Sequence, residues 1–137
     1  MKRILIASHG TLASGFVSSL GILTGDTSHI VAIDAYMDSS NFKEEVDCFF
    51  NTVNVDDEVI MLSDLYGGSV NQILYLYLER ANTRLIAGVN LAFVLELAMK
   101  SNPISDKELQ ILIDQSKQML REVKLDSTSS SHEEDFF

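Results

Sequence analysis

The chain has 137 residues, enough for one domain with a single good core. Apolar residues make up 46% and charged ones 22%, ordinary for a globular protein. The formal net charge of −10 argues against nucleic acid, whose phosphates need clustered Lys and Arg, and suits a protein that meets basic or polar protein surfaces. The lone cysteine, Cys48, can form no disulfide within the chain, so a reducing cytosol is the natural home. It sits among apolar residues in a helical pattern and reads as a buried, inert thiol. Met1-Lys2-Arg3 and the short apolar run after it resemble a signal peptide only superficially, because Ser8-His9-Gly10 breaks the run. The longest apolar region, 85–99, is interrupted by Gly88, Asn90 and Glu96 and falls short of a membrane span. The chain reads as cytoplasmic and uncleaved.

Residues 4–8 form the first predicted strand. Thr11 is placed to cap the helix that follows, with Phe16, Val17, Leu20 and Leu23 on its apolar face. Gly25-Asp26 ends that helix, and 29–35 is a second strand, apolar enough to be covered on both faces. Asn41 with Glu44 makes a capping box that opens a helix to about residue 52, with Phe42, Val46, Phe49 and Phe50 inward. Asp56, Asp57 and Glu58 read as a solvated loop before the third strand, 59–63. Asp64 stands at the end of that strand. Ser69 or a neighbour starts the next helix, to about residue 80, with Ile73, Leu74, Tyr77 and Leu78 inward. Residues 84–89 form the fourth strand, and Asn90 can cap a helix to about residue 100. Asn102-Pro103 is a break. Ser105 with Glu108 forms a second capping box, for a helix to about residue 121. Residues 123–125 suit a short terminal strand. The remainder, 126–137, is polar, acidic and low in complexity, and reads as a disordered tail after a domain spanning 1–125.

Strands that alternate with helices four times imply an α/β fold with parallel strands, right-handed crossovers and helices on both faces. Small sheets of this kind take the order 2-1-3-4, which puts His9 and Asp64 at the switch point on the carboxyl edge, where ligands bind.

Those residue types allow a specific chemistry. A histidine is partly unprotonated at neutral pH, so one ring nitrogen can attack an electrophile. It does so best when a carboxylate accepts the hydrogen of the other nitrogen, fixes the tautomer and steadies the positive charge that grows on the ring. Asp64 is placed to be that acceptor. Ser8 belongs to the strand and should point away from His9, so His9 reads as the nucleophile itself. The fitting electrophile is a phosphoryl group. Gly10-Thr11 and Gly67-Gly68-Ser69 each lead into a helix amino end, where free amides attract anions and glycine lets the backbone approach closely. Neither loop contains Lys or Arg, so backbone amides and hydroxyls must neutralise the phosphate. His29, His132 and His9 lack metal-ligand spacing, and no metal or other cofactor is expected.

Three stretches carry a resemblance: Ile-Leu-Ile-Ala-Ser-His-Gly-Thr-Leu-Ala at the start, Leu-Ser-Asp-Leu-Tyr-Gly-Gly-Ser in the middle, and Leu-Ile-Ala-Gly-Val-Asn-Leu at 85–91. Together they resemble the enzyme IIA domain of the mannose family of the bacterial phosphoenolpyruvate-dependent sugar phosphotransferase system. The resemblance implies a phosphoryl relay. Phosphorylated HPr would give its phosphate to Nε2 of His9, Asp64 would hold the other ring nitrogen, and a histidine of enzyme IIB would take the phosphate onward. The membrane components IIC and IID would use it to phosphorylate the imported sugar. It also implies a homodimer that exchanges an antiparallel C-terminal strand near 123–125. Two positions depart from the family pattern: Val70 replaces a common proline, and Tyr66 a common tryptophan. Other readings of the same residues are a phosphoryl donor to dihydroxyacetone kinase, a receiver-like regulatory module and a flavin carrier. A receiver needs acids where Ser8-His9 stand; a flavin carrier would have to stack its ring on Tyr36 and Tyr66.

Overall fold

Four strands pair side by side, all parallel, in the order β2-β1-β3-β4. They belong to a computed structural model that describes residues 1–101 and 103–126; Asn102 and most of the expected tail, 127–137, lie outside the described residues. The elements in chain order are β1 (Lys2–His9), α1 (Leu12–Thr24), β2 (Ile30–Ala35), α2 (Phe42–Asn51), β3 (Glu58–Ser63), α3 (Ser69–Tyr75), a 3-10 turn (Leu76–Glu79), β4 (Thr83–Ala87), α4 (Leu91–Met99) and α5 (Asp106–Lys117). The four-stranded parallel α/β fold expected from the sequence is the one observed. No helix among the described residues is long and apolar enough to cross a membrane.

The sheet is covered on both faces, and strand alternation decides which residue meets which helix. Ile4 and Ile6 of β1 and Ile60 and Leu62 of β3 pack with Leu20 of α1, Val94 and Leu97 of α4 and Leu112 of α5. Leu5 and Ala7, with Val59 and Met61, pack on the opposite face with Val46 and Phe49 of α2 and Leu74 of α3. The central strands β1 and β3 are therefore apolar at consecutive positions, as strands buried on both sides must be. Chain reversal between β1 and β3 places the carboxyl end of β1 at the switch point.

Several local expectations need correction. Cys48 is exposed: the inward stripe of α2 is Phe42, Val46 and Phe49, and residue 48 falls on the outer side. Asp57 and Glu58 are buried rather than solvated. The Asp57 carboxylate pairs with the amino terminus of Met1 at 3.3 Å and accepts the Asn54 amide at 2.9 Å. Glu58 Oε2 accepts the Ile104 amide at 3.1 Å, while its Oε1 is buried with no hydrogen-bond partner among the described residues. β1 starts two residues early because Lys2 and Arg3 are anchored. Lys2 Nζ donates to the carbonyls of Leu97 and Lys100 at the end of α4, and Arg3 lies 5.1 Å over the Phe49 ring. The helix after Ser69 tightens into a 3-10 turn at Leu76, which shifts the side-chain phase and leaves Leu78 exposed. Leu23, in the last turn of α1, is also exposed. Residues 121–126 carry no regular secondary structure in the single chain.

Candidate phosphoryl-transfer site

His9 is the last residue of β1, and strand alternation turns it away from Ser8. Ser8 is buried on the α1 side. Its Oγ accepts the Ala13 amide at 2.7 Å and so caps α1 from inside the sheet. The expected cap, Thr11, makes no side-chain cap bond. The next α1 amide, of Ser14, donates to Asp34 Oδ1 at 2.9 Å, and the Ser14 hydroxyl donates to Asp34 Oδ2 at 2.6 Å. The amino end of α1 therefore already holds a carboxylate, an occupant the sequence reading did not foresee.

The His9 side chain stands on the other side, 41% exposed at the rim. Its Nδ1 lies 2.8 Å from Asp64 Oδ2, and its backbone amide donates to the same oxygen at 2.9 Å. Asp64 is nearly buried. Burial works against its charge, but the His9 amide and ring, with the amide of Leu65 at 3.0 Å from Oδ1, hold its carboxyl below the usual carboxylate range. An ionised carboxylate can only accept, so Nδ1 carries the hydrogen and the Nε2 lone pair points outward. Sequence position alone brought these two residues to one edge; the structure puts them in contact.

Around Nε2 the α3 side closes in. Ser69 Oγ lies 3.3 Å from Nε2, and the Tyr36 hydroxyl donates to Ser69 Oγ at 2.8 Å. The Tyr36 ring sits 5.4 Å from the imidazole, tilted by 45°. A Cβ at Gly68 would lie a tight 3.3 Å from Leu65 Cβ and in ordinary contact with His9 Cε1 at 3.6 Å, so the glycine lets the turn pass close to the ring. Gly10 and Gly67 take left-handed φ of 59° and 75° and turn the chain out of each strand. The Gly10 and Gly68 amides donate to the carbonyls of Ala35 and Leu65, and the side-chain donor beside Nε2 is the Ser69 hydroxyl. Thr11 is exposed on the α1 flank. Tyr66, 90% exposed, projects into solvent. The sequence suggests Tyr36 only as a stacking surface for a flavin; the structure places it against His9 and Ser69. Its signal was placement, since it directly follows β2 at the same edge as His9.

The family described as PTS system fructose IIA component matches residues 3–114, which hold every residue of this site. The chain belongs to that family. Its part is phosphotransfer in the sugar phosphotransferase system. Solved structures agree. A PTS IIA protein associated with the fucose utilization operon of Streptococcus pneumoniae is 27% identical, with a TM-score of 0.72 over 88% of this chain and 92% of that one. The mannose/sorbose specific IIA subunit of the phosphotransferase system from Enterococcus faecalis is 21% identical, with a TM-score of 0.78 over 94% and 100%, and shares the fold. A protein from Klebsiella pneumoniae, described as a phosphoenolpyruvate-dependent sugar phosphotransferase system permease, is 25% identical, with a TM-score of 0.79 over 88% and 90%. No curated protein sequence matches the chain.

Proposed function

We propose that this IIA component is a phosphoryl carrier that takes phosphate from phosphorylated HPr on Nε2 of His9 and passes it to a histidine of enzyme IIB. The observation that carries this reading is the Nδ1–Asp64 contact of 2.8 Å, which leaves Nε2 as the lone pair at an exposed rim. In the first step the Nε2 lone pair forms a bond to phosphorus as the bond to the donor's nitrogen breaks, and that electron pair returns to the donor. Asp64 keeps the Nδ1 hydrogen throughout and steadies the positive ring. The Ser69 hydroxyl moves from Nε2 to a phosphoryl oxygen, with Gly67 and Gly68 giving close approach on that side and Gly10 and Thr11 on the other. The second step is the same exchange toward IIB. No cofactor takes part. IIC and IID are reached only through IIB, and the work is done in the cytoplasm.

The dimer belongs to the same proposal. β4 is an edge strand, and beside it runs a groove of about 670 Å³ lined by Tyr75, Leu78, Leu85, Ile86 and Ile113. Val123 and Leu125 are 66% and 97% exposed in the single chain. A partner's 123–125 segment laid along β4 would cover both.

Incubation with phosphoenolpyruvate, enzyme I and HPr tests the carrier. Wild type should be labelled and His9→Ala should not, with its circular dichroism unchanged. Labelling that persists in His9→Ala overturns the proposal.

A further inference from the structure

We infer that Tyr36 is a positioning residue for His9, acting through Ser69; the inference rests on the carrier reading above and extends it. Three observations meet at this residue. Its hydroxyl donates to Ser69 Oγ at 2.8 Å, and Ser69 Oγ in turn lies 3.3 Å from His9 Nε2. Its ring leans over the imidazole at 5.4 Å. Its backbone takes a φ of 65°, the left-handed region that a bulky side chain avoids. Tyrosine at such a position is held by its surroundings, and the conformation turns the ring back over β1 instead of outward along β2.

The hydrogen count gives the chain a direction. In the neutral ring Nδ1–H is committed to Asp64, so Nε2 accepts. Ser69 has one hydroxyl hydrogen, and its oxygen already accepts from Tyr36, so that hydrogen is free to point at Nε2. The order is Tyr36 O–H to Ser69 Oγ, then Ser69 O–H to Nε2. The last link is long and weak, so an arriving phosphorus displaces it readily. Once the Nε2–P bond has formed, the Ser69 hydrogen turns to a phosphoryl oxygen, and Tyr36 keeps the serine oxygen in place during the switch. No proton leaves Tyr36, and the balance of the transfer is unchanged.

Without Tyr36 the Ser69 hydroxyl rotates among several acceptors and meets the phosphoryl group only part of the time. The expected loss in Tyr36→Phe is roughly three- to tenfold in transfer rate, the equivalent of one neutral hydrogen bond.

The test compares wild type, Tyr36→Phe, Ser69→Ala and the double variant in the full chain, with phosphorylated HPr as donor. Tyr36→Phe should slow transfer, and the double variant should be no slower than Ser69→Ala alone, since both act through one hydroxyl. In the unphosphorylated protein, the ¹⁵N resonance of His9 Nε2 should move in the same direction in Tyr36→Phe as in Ser69→Ala. A Tyr36→Phe rate and Nε2 resonance equal to wild type, or fully additive losses in the double variant, overturn the inference. Failure of wild type to be labelled defeats the carrier reading instead, and the resonance comparison still decides whether the relay exists.

Discussion

One oxygen of Asp64, Oδ2, accepts two hydrogen bonds from His9, 2.8 Å from the ring and 2.9 Å from the backbone amide. The side chain and the strand end it belongs to are thus tied to a single point on β3. Turning the imidazole costs the ring its bond to an oxygen that the backbone amide holds in place. Asp64→Asn keeps the shape and removes the charge. The loss of a charge-assisted bond is about 1.5–3 kcal/mol, or roughly 10–100-fold in transfer rate. Single-turnover transfer from phosphorylated HPr measures it, and an unchanged rate would refute the orienting role.

The same carboxylate has a pH signature. Its carboxyl is held below its ordinary value of 3.8 in the folded protein. Above about pH 4 it is ionised folded and unfolded alike, and its full contribution is present. As pH falls below that, the unfolded chain takes the proton first and the contribution shrinks. It is gone once pH has passed through the folded value. Melting temperatures of wild type and Asp64→Asn should differ at pH 7 and converge as pH falls below 3.8 and through the folded value. A gap that stays constant through acid would exclude this linkage.

Ser8 and Thr11 exchange the roles their positions suggest. Ser8→Ala leaves the buried Ala13 amide unpaired and should destabilise by about 1–2 kcal/mol. Thr11→Ala, exposed and without a cap bond, should stay within about 0.5 kcal/mol of wild type. Urea denaturation distinguishes the two. Both variants should still be labelled at His9.

Glu58 and Asp56 are two residues apart and should behave oppositely. Glu58→Ala removes the acceptor of the buried Ile104 amide and should destabilise by about 1–3 kcal/mol. Asp56→Ala changes an exposed carboxylate and should be near neutral. Equal effects in thermal melts would mean that the loop before β3 is solvated throughout, as its composition suggests.

The proposed dimer has a direct readout. Light scattering at micromolar concentration should give twice the chain mass, and Val123→Asp with Leu125→Asp should shift it to one. A wild-type monomer would remove strand exchange from the account.

The fold was legible because its signals are repeated and local. Asn41, Asn90 and Ser105 each accept an amide three residues on, as their helix starts suggested. Continuous apolar runs in β1 and β3 marked strands covered on both faces. What escaped the sequence depends on partners distant along the chain. Glu58 reads as solvated until Ile104 is beside it, and Lys2 as a loose flank until the end of α4 arrives. Cys48 was misjudged because apolar neighbours in sequence are not neighbours around a helix. In the site, edge placement brought His9 and Asp64 together, since both follow strands. Ser14 and Asp34, 20 residues apart, meet only through the register of β1 with β2, in which Ser8 lies opposite Asp34. Tyr36 required both that register and an uncommon backbone angle.

The loops at the carboxyl edge, 8–11, 35–40 and 64–69, contain no lysine or arginine, and Asp34 fills the amino end of α1. A phosphate carried on Nε2 would therefore be held by neutral hydroxyls and backbone amides, with no cation from these loops to anchor it. Such a grip is shallow by construction. In the proposed relay, cargo held that loosely would keep its chemical potential and could move on to the next imidazole, or back, with little difference in energy between the two directions.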